Sequence, residues 1–414
     1  MNNSRGRSET RLQGWAFAWF FCLLAGYFLL RPVRETIGVM GGESRLSWLY
    51  TATFVAMLAT NPIYAWAVAK LRRQTLVPAL YVFFASHLGL FCIAFAVLDK
   101  AGRALAYDVF FVWLSVFNLS AVTTFWGLLA DVFDRERAKN RFGMIGAGGT
   151  AGAIAGSLAA DFGSKAFGFV GLLTVASGLL LIAAFCAQRV LLECKATDGK
   201  LAEERAFRSP VLQGWRDALA TPYLRTICIY LLLFTITATF VYYEQRDIVS
   251  RTIQGDAERT SYYARINYGS NILVLFLQGA TTAFLLRRLG IGRALAGVPA
   301  LMVVGFSALL VSPALAIVSS FEVLRRTSHF ALSKPAQEVL FTSVPRDQKY
   351  RAKSFIDTVV YRGGDVLAAW VYTFVAQGFG FMATAIFGLA LTLAWLPVAL
   401  RLGRLSDASA LEKR

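Results

Sequence analysis

The chain has 414 residues, of which 57% are hydrophobic and 16% are charged, and its formal net charge is +17. A chain this apolar is not expected to fold around a soluble core. Its five cysteines have neither metal-binding nor disulfide-framework spacing. The glycine-rich run at 146–152 follows no strand and lacks the lysine of a phosphate-binding loop, so no cofactor or metal is predicted.

Twelve apolar segments follow one another along the chain, and a bilayer crossing needs about 20 residues. They lie near 14–31, 46–70, 76–98, 107–131, 143–162, 166–190, 224–243, 262–286, 291–312, 314–341, 354–377 and 381–400. Most are apolar on all faces, so we predict an all-α membrane protein with 12 transmembrane helices. The first segment is longer than the apolar core of a signal peptide, and we expect it to remain in the mature protein.

The basic residues are concentrated on one of the two predicted sides of the membrane. With the N-terminus inside, seven inward segments carry 28 Lys and Arg residues, whereas the outward loops carry about six. This is the positive-inside distribution, and it predicts a multi-pass protein with both termini cytoplasmic. The net charge therefore reflects topology and does not indicate binding to nucleic acid.

The two halves of the sequence resemble each other. An offset of 212 aligns Arg34-Glu35 with Arg246-Asp247, and an offset of 213 aligns the basic loop at 134–142 with that at 347–355. Two parallel six-helix repeats are the plan of the major facilitator fold. We predict an N-terminal half at 1–192, a polar cytoplasmic linker at 193–223 and a C-terminal half at 224–414; the alternative is that basic inner loops look alike without a repeat.

Charged residues near the end of the first span form one candidate site. Arg31 and Glu35 share a helix face if the helix continues through Pro32, although proline is expected to interrupt it. Arg34 is predicted to bind an anion beside Glu35; the alternative is an anchor that reaches the outer headgroups. The corresponding residues at the end of the seventh span are Glu244, Arg246 and Asp247.

The eleventh span carries a stripe formed by Asp357, Tyr361 and Asp365, with Arg362 beside it. A carboxylate near a cation within a span can exchange protons or contact a substrate phosphate. We predict substrate binding by Arg362 and Asp365 and proton coupling by Asp357 or Asp365; the alternative is a structural Arg–Asp pair.

The tenth span contains several charges, of which Glu322–Arg326 and Lys334–Glu338 have the spacing of intrahelical pairs. Its surplus of cations is suited to attracting an anion. On the fifth span, Gly148, Gly152 and Gly156 predict close packing against another helix.

Three of these patches resemble the ATP/ADP translocase (nucleotide transporter) family of plastids and intracellular bacteria. They are Leu30-Arg31-Pro-Val-Arg34-Glu35, Phe125-Trp126-Gly127 with the following Asp131 and Arg137-Ala-Lys139, and Lys353-Ser-Phe-Ile356-Asp357. The resemblance implies a major-facilitator-like nucleotide antiporter, here from a divergent bacterial branch located in the cytoplasmic (inner) membrane.

The family's functional residues match only in part. Arg34 stands where the family has a substrate-binding lysine, and Glu244 lies near the position of a family glutamate. The family glutamate before Phe-Trp-Gly has no counterpart, because 109–124 contains no acid. Asp365 falls where the family has a lysine, so the substrate need not be ATP.

We therefore expect a secondary transporter with alternating access for an anionic solute such as a nucleotide or phosphorylated metabolite. The expected partners are this solute and the lipid bilayer, without an obligatory protein partner. One alternative is a proton-coupled facilitator for another solute. A second alternative, a membrane-embedded transferase, would need a catalytic cluster near the membrane surface, and we find no convincing one.

Overall fold

The fold was analysed in a computed structural model that describes residues 2–133, 135–198, 214–280, 282–344, 348, 352–353 and 355–411. The described chain is helical throughout, with no strand in those ranges. The first helices are α1 (Asn2–Val39), α2 (Glu43–Lys70), α3 (Arg73–Val97), α4 (Lys100–Val132), α5 (Arg135–Asp198), α6 (Gly214–Ala220) and α7 (Pro222–Thr252). They are followed by α8 (Asp256–Ala280), α9 (Thr282–Val311), α10 (Leu315–Ser328), α11 (Lys334–Leu340), α12 (Tyr361–Phe379) and α13 (Phe381–Leu411).

Two helices depart locally from α geometry next to charged residues. A π segment at His329–Ser333 joins α10 to α11, which ends in a 3-10 turn at Phe341–Ser343. A second π segment, Ile356–Val360, leads into α12. Single π turns within α-helices are often found at functional sites.

Seven of the described helical stretches are long and apolar enough to cross a membrane. One of them, Arg141–Cys194, contains 54 residues and bends at Gly168, whose φ of 59° is in the left-handed region. Glycine adopts this conformation without steric cost, so the chain can reverse there without a separate loop. The stretch therefore accounts for both the predicted fifth and sixth spans.

The linker predicted at 193–223 is partly helical. The helix α5 continues to Asp198, and α6 occupies Gly214–Ala220 before Thr221 caps the start of α7 by accepting a hydrogen bond from the Leu224 N–H at 3.2 Å. Residues 199–213 lie outside the described part of the chain.

The contacts group the chain into two compact units. One comprises Met1–Gly38, Val55–Ala206 and Gln254–Tyr268, and the other comprises Val39–Phe54, Phe207–Ile253 and Gly269–Arg414. Each unit thus contains most of one predicted half together with the beginning of a helix from the other half, namely that of α8 in the first unit and that of α2 in the second. The predicted half boundaries themselves stay a prediction.

Within the first unit, α3 packs on α5 and on α4. Its core contains a cluster of aromatic rings in which Trp19 lies 4.8 Å from Phe125 and 5.7 Å from Tyr81. Phe20 stacks on Phe125 at 4.2 Å. The Tyr81 hydroxyl donates to the carbonyl of Ala121 at 2.9 Å, so the one polar group of this ring is satisfied.

The second unit repeats this order of packing. The helix α9 packs on α13 and on α10, and α7 packs on α12 and α13. Large apolar side chains remain exposed on the outer faces of both units, as expected where lipid is the solvent. Examples on α3 and α13 are Val82, Phe83, Leu90, Ile93, Val97, Met382, Ile386 and Leu393.

Candidate functional site

The charged residues of α1 lie near its C-terminal end, on an unbroken helix. The Arg31 Nε donates to Glu35 Oε1 at 3.0 Å, so the predicted sharing of a face is confirmed. The expectation that Pro32 interrupts the helix is wrong, because α1 runs through it to Val39. Proline removes one helical hydrogen bond, and tightly packed neighbouring helices allow that within a membrane.

Arg34 points in a different direction from Arg31, toward α4. Its Nε donates to the carbonyl oxygen of Phe111 at 3.1 Å, and its Cζ lies 3.7 Å from the centre of the Phe111 ring. No carboxylate lies within 4.0 Å of Arg34 in the described part of the chain, and its two Nη groups make no hydrogen bond there. The guanidinium is therefore held in place while most of its donors stay available to an anion.

The charged residues at the end of α7 are strongly buried. Glu244 is fully buried, and its Oε1 accepts a hydrogen bond from the Thr384 hydroxyl of α13 at 2.6 Å. Arg246 donates to the carbonyl of Gly41, and Asp247 pairs with Arg251 at 2.8 Å. Asp247 is thus paired with a cation of its own helix.

Glu43 is the first residue of α2, and its charged neighbours include Arg246 and Asp247. Burial raises the pKa of Glu43 above the usual value of a glutamate, while Arg246 lowers it and Asp247 raises it further. A carboxylate at the first turn of a helix also interacts favourably with the helix dipole. Since the pKa is raised on balance, burial outweighs the two neighbouring cations, Arg246 and Arg251.

The pair on α12 lies one turn after the π segment. The Arg362 Nη1 donates to Asp365 Oδ2 at 3.3 Å, and the Thr239 hydroxyl of α7 donates to Asp365 Oδ1 at 3.0 Å. The charges of Arg362 and Asp365 largely cancel. Asp357 belongs to the π segment itself, and its side chain lies outside the described part of the structure.

The predicted site residues are distributed over both units. Arg31, Arg34 and Glu35 belong to the first unit. Glu244, Arg246 and Asp247 form a second group at the end of α7, and Arg362 and Asp365 form a third, held by Thr239; both lie in the second unit.

The charges of α10 are more deeply buried than those on α12. Glu322 accepts from Arg325 Nε at 2.8 Å and from Arg325 Nη2 at 2.9 Å, and it also accepts from Arg326. The predicted Glu322–Arg326 pair is therefore confirmed, as is the Lys334–Glu338 pair at 3.7 Å. Two cations share one buried carboxylate here, as the surplus in the sequence indicated.

A polar and aromatic cluster surrounds the π segment of α10 and was not predicted. His329 stacks on Phe234 with ring centres 4.3 Å apart. The Tyr361 hydroxyl donates to Gln337 at 3.4 Å, and Gln337 donates to the Ser333 hydroxyl at 3.2 Å. The ring stacking joins residues 95 positions apart and the tyrosine hydrogen bond joins residues 24 positions apart, so no helical period indicates either contact.

The sequence also gave no sign of a second polar cluster, on α5 and α8. Asp161 accepts hydrogen bonds from Ser261 and from Tyr268, the latter at 3.5 Å, and it pairs with Arg265 at 3.2 Å. All four residues belong to the first unit. As for metals, the described residues contain no group of three or more His, Cys, Asp or Glu placed to share an ion.

Comparison with known proteins decides the family. The Major Facilitator Superfamily matches residues 16–364, which is well over half of the chain. The chain belongs to the major facilitator superfamily. It is therefore a membrane transporter and not an enzyme, and the predicted fold class is confirmed. A search of curated proteins finds no match.

Solved transporters share the fold over almost the whole chain. A bacterial homologue of the iron transporter ferroportin in the inward-facing state has a TM-score of 0.68 at 12% identity, with 96% of this chain and 98% of that chain covered. An auto-inhibited peptide transporter of the POT family has a TM-score of 0.65 at 14% identity, with 96% and 97% covered. The nucleoside transporter NupG has a TM-score of 0.60 at 13% identity, with 95% and 98% covered. At these identities the likeness establishes the fold alone.

Proposed function

We propose that this major facilitator protein is a secondary active transporter for a small anionic solute and that Arg34 binds the anionic group. The observation that carries the proposal is the state of Arg34 on α1. Its guanidinium is fixed by Phe111, yet no carboxylate lies within 4.0 Å of it among the described residues. A cation kept in a spanning helix costs several kcal/mol unless it is used or paired, so a role in binding accounts for it.

The solute we propose carries less charge than ATP. Arg362 and Asp365 form a pair that is close to neutral, and Asp365 stands where the ATP/ADP translocases have a lysine. A carboxylate at that position repels a polyphosphate, whereas a phosphorylated metabolite or a nucleotide with one phosphate needs only one cation. ATP/ADP-type exchange, which the sequence resemblance implies, is the competing version of this proposal.

The proposed setting follows from the charge distribution. Twenty-eight inward and about six outward Lys and Arg residues favour a cytoplasmic membrane with both termini inside. Transport would proceed by alternating access, the general mode of transporters built from repeated helix bundles.

Uptake into proteoliposomes tests the proposal. Purified protein should take up labelled nucleoside monophosphates or sugar phosphates faster than ATP, with and without the same compound inside. Arg34→Ala should lower uptake at least tenfold, because the anion loses its cation, and Arg34→Lys should retain a measurable part of it.

The matched control is Arg72→Ala, which removes an exposed arginine from the loop between α2 and α3. This variant should transport like the wild type. If the protein prefers to exchange ATP for ADP, the proposal of a less charged solute is wrong and ATP/ADP exchange replaces it. Full transport by Arg34→Ala, with a folded protein, would refute the role of Arg34.

A second candidate function is proton-coupled transport, and Glu244 favours it. This carboxylate is fully buried in α7, where the Thr384 hydroxyl donates a hydrogen bond to it. A charged carboxylate in such a site is costly, so the carboxylate can bind and release a proton as part of a transport cycle. If this candidate is right, an inward proton gradient should drive uptake without internal counter-substrate, and Glu244→Gln should abolish that drive while leaving exchange intact.

A further inference from the structure

A cleft lies where the beginning of α1 meets the last turns of α5. It has a volume of about 420 Å³, and it is lined by Arg11, Gly14, Trp15, Ala18, Arg189 and Glu193. All of these residues belong to the first unit and lie in the part of the chain that the structure describes. The transport proposal uses none of them, and the cleft is open on one side.

Two arginines in this cleft have no acidic partner among the described side chains. Neither Arg11 nor Arg189 has a carboxylate within 4.0 Å in the described part of the chain. Arg189 and Glu193 are four residues apart on α5, yet they form no ion pair. The Arg189 Nε is buried and has no hydrogen-bond acceptor among those residues. Such a donor lacks the partner that buried polar groups normally have.

An aromatic side chain holds one of these arginines against the helix wall. The Arg189 Cζ lies 5.4 Å from the centre of the Trp15 ring, and the Trp15 ring meets Phe185 edge-on at 5.8 Å. The cation–π contact fixes the guanidinium without neutralising it. With two arginines and one glutamate, the cleft has a net charge of +1.

The cleft lies at the level of lipid headgroups. The predicted first span begins near residue 14 and the predicted sixth span ends near residue 190, so Arg11 and Arg189 lie at span ends. Tryptophan is enriched at this depth. The positive-inside distribution assigns these helix ends to the cytoplasmic side, where anionic lipids attract basic residues.

An apolar surface continues from the cleft toward the middle of the membrane. Leu181, Ile182 and Phe185 lie one to two turns before Arg189 on α5, and all three are exposed. A free phosphate ion would leave this surface unused, whereas the acyl chains of a lipid would cover it.

We propose that this cleft binds the phosphate of an anionic phospholipid, with Arg11 and Arg189 as its cationic ligands. A soluble phosphate would bind the same two arginines through the same anionic group. The lipid is favoured because the two arginines lie at headgroup depth, directly beside an exposed apolar surface that acyl chains can cover.

Native mass spectrometry and thermal shift can test this with the full chain in detergent. The probes are phosphatidylglycerol, phosphatidylcholine and inorganic phosphate, added separately. Phosphatidylglycerol should bind and raise the melting temperature, while phosphatidylcholine and inorganic phosphate should do neither. Since each cation near a membrane surface contributes about fivefold in affinity, Arg11→Ala with Arg189→Ala should weaken phosphatidylglycerol binding about 25-fold.

The matched control removes two other inward arginines, by Arg401→Ala with Arg404→Ala, both of which are exposed on α13. This control should bind phosphatidylglycerol like the wild type. Equal weakening in both double variants would mean a diffuse effect of charge and would overturn the site. Binding of inorganic phosphate at the same concentrations would assign the cleft to a soluble anion and would overturn the lipid.

Discussion

Glu322 is the shared ion-pair partner of two arginines in the predicted tenth span, and the three charges together leave a net charge of +1. Its side chain is 1% exposed, and those of Arg325 and Arg326 are 10% and 8% exposed. Removing one member of such a group leaves uncompensated buried charge, which typically costs about 3–5 kcal/mol. The energetic cost of losing the carboxylate therefore exceeds any value of the ion pair itself.

The first prediction compares Glu322 with a glutamate in a similar sequence setting. Glu338 also contacts two cations, Lys334 at 3.7 Å and Lys353 at 2.7 Å, but its side chain is 47% exposed. We expect Glu322→Gln to destabilise the protein by about 3–5 kcal/mol and Glu338→Gln by no more than about 1 kcal/mol. Thermal unfolding in detergent measures both, and similar losses would show that burial does not control the cost.

The second prediction concerns Glu43 and pH. Because its pKa is raised in the folded state, the carboxyl favours folding when it is protonated. This contribution is complete below the ordinary glutamate value of 4.5 and is lost as the pH rises through the folded pKa. Glu43→Gln keeps the neutral form at every pH.

The stability of Glu43→Gln relative to wild type should therefore increase as the pH rises above about 4.5. Melting temperatures recorded over a range of pH upward from this value provide the measurement. Asp99→Asn serves as the control for a general effect of removing acid, since Asp99 is an exposed helix cap outside this group. A constant difference between Glu43→Gln and wild type across the range would contradict the prediction.

The third prediction tests the neutral pair on α12. If Asp365 is what excludes highly charged solutes, Asp365→Asn should raise transport of nucleotides with more than one phosphate, and Asp365→Lys should raise it further. The readout is the ratio of di- to monophosphate uptake in proteoliposomes between pH 5 and pH 8. An unchanged ratio in both variants, with no pH dependence in the wild type, would remove Asp365 from substrate selection.

At the scale of elements, α1 and α5 approach each other through glycines. A Cβ added to Gly148 would lie 2.8 Å from the Phe17 carbonyl oxygen. At Gly152 it would lie 2.3 Å from that of Phe21, and at Gly156 2.2 Å from that of Ala25. These neighbours are backbone atoms, so they cannot move aside as a side chain can. The glycine stripe is therefore a packing surface along the whole contact.

The fourth prediction uses two glycines of α5. Gly152→Ala should destabilise the protein by about 1–3 kcal/mol, because the helices must separate. Gly146→Ala, where a Cβ would meet nothing within 4 Å, should be neutral or stabilising by up to about 1 kcal/mol from helix propensity. The two melting temperatures decide this, and equal effects would show that the contact is not tight.

The helices and their contacts show which features the sequence could predict and which it could not. Long apolar runs predicted the helices, because membrane spans carry a strong signal of length and composition. Ion pairs three or four residues apart, such as Arg31–Glu35 and Glu322–Arg326, followed from helix geometry. The carbonyl that holds Arg34 and the hydroxyl that reaches Glu244 belong to distant helices, so only the tertiary structure reveals them.

At the scale of the whole molecule, the orientation in the membrane is the property to test. The fifth prediction is that a fluorescent protein fused after Arg414 fluoresces in cells, whereas alkaline phosphatase at the same place is inactive. The physical reason is the excess of inward Lys and Arg residues. Fusions at the turn near Gly168 should give the opposite pattern. Active phosphatase at the C-terminus would contradict the predicted topology.

The π segment at His329–Ser333 bears on the predicted repeat of the two halves. A π turn contains one more residue than the α turn it replaces, and α4, at the corresponding place in the first half, has no such segment in its described length. The offset that aligns the halves grows by one, from 212 at Arg246 to 213 at the loop 347–355. A single inserted codon in an ancestral second half would account for both facts. Because the π turn takes up the extra residue, the side chains that follow it on the helix would keep the angular positions of their counterparts in the first half.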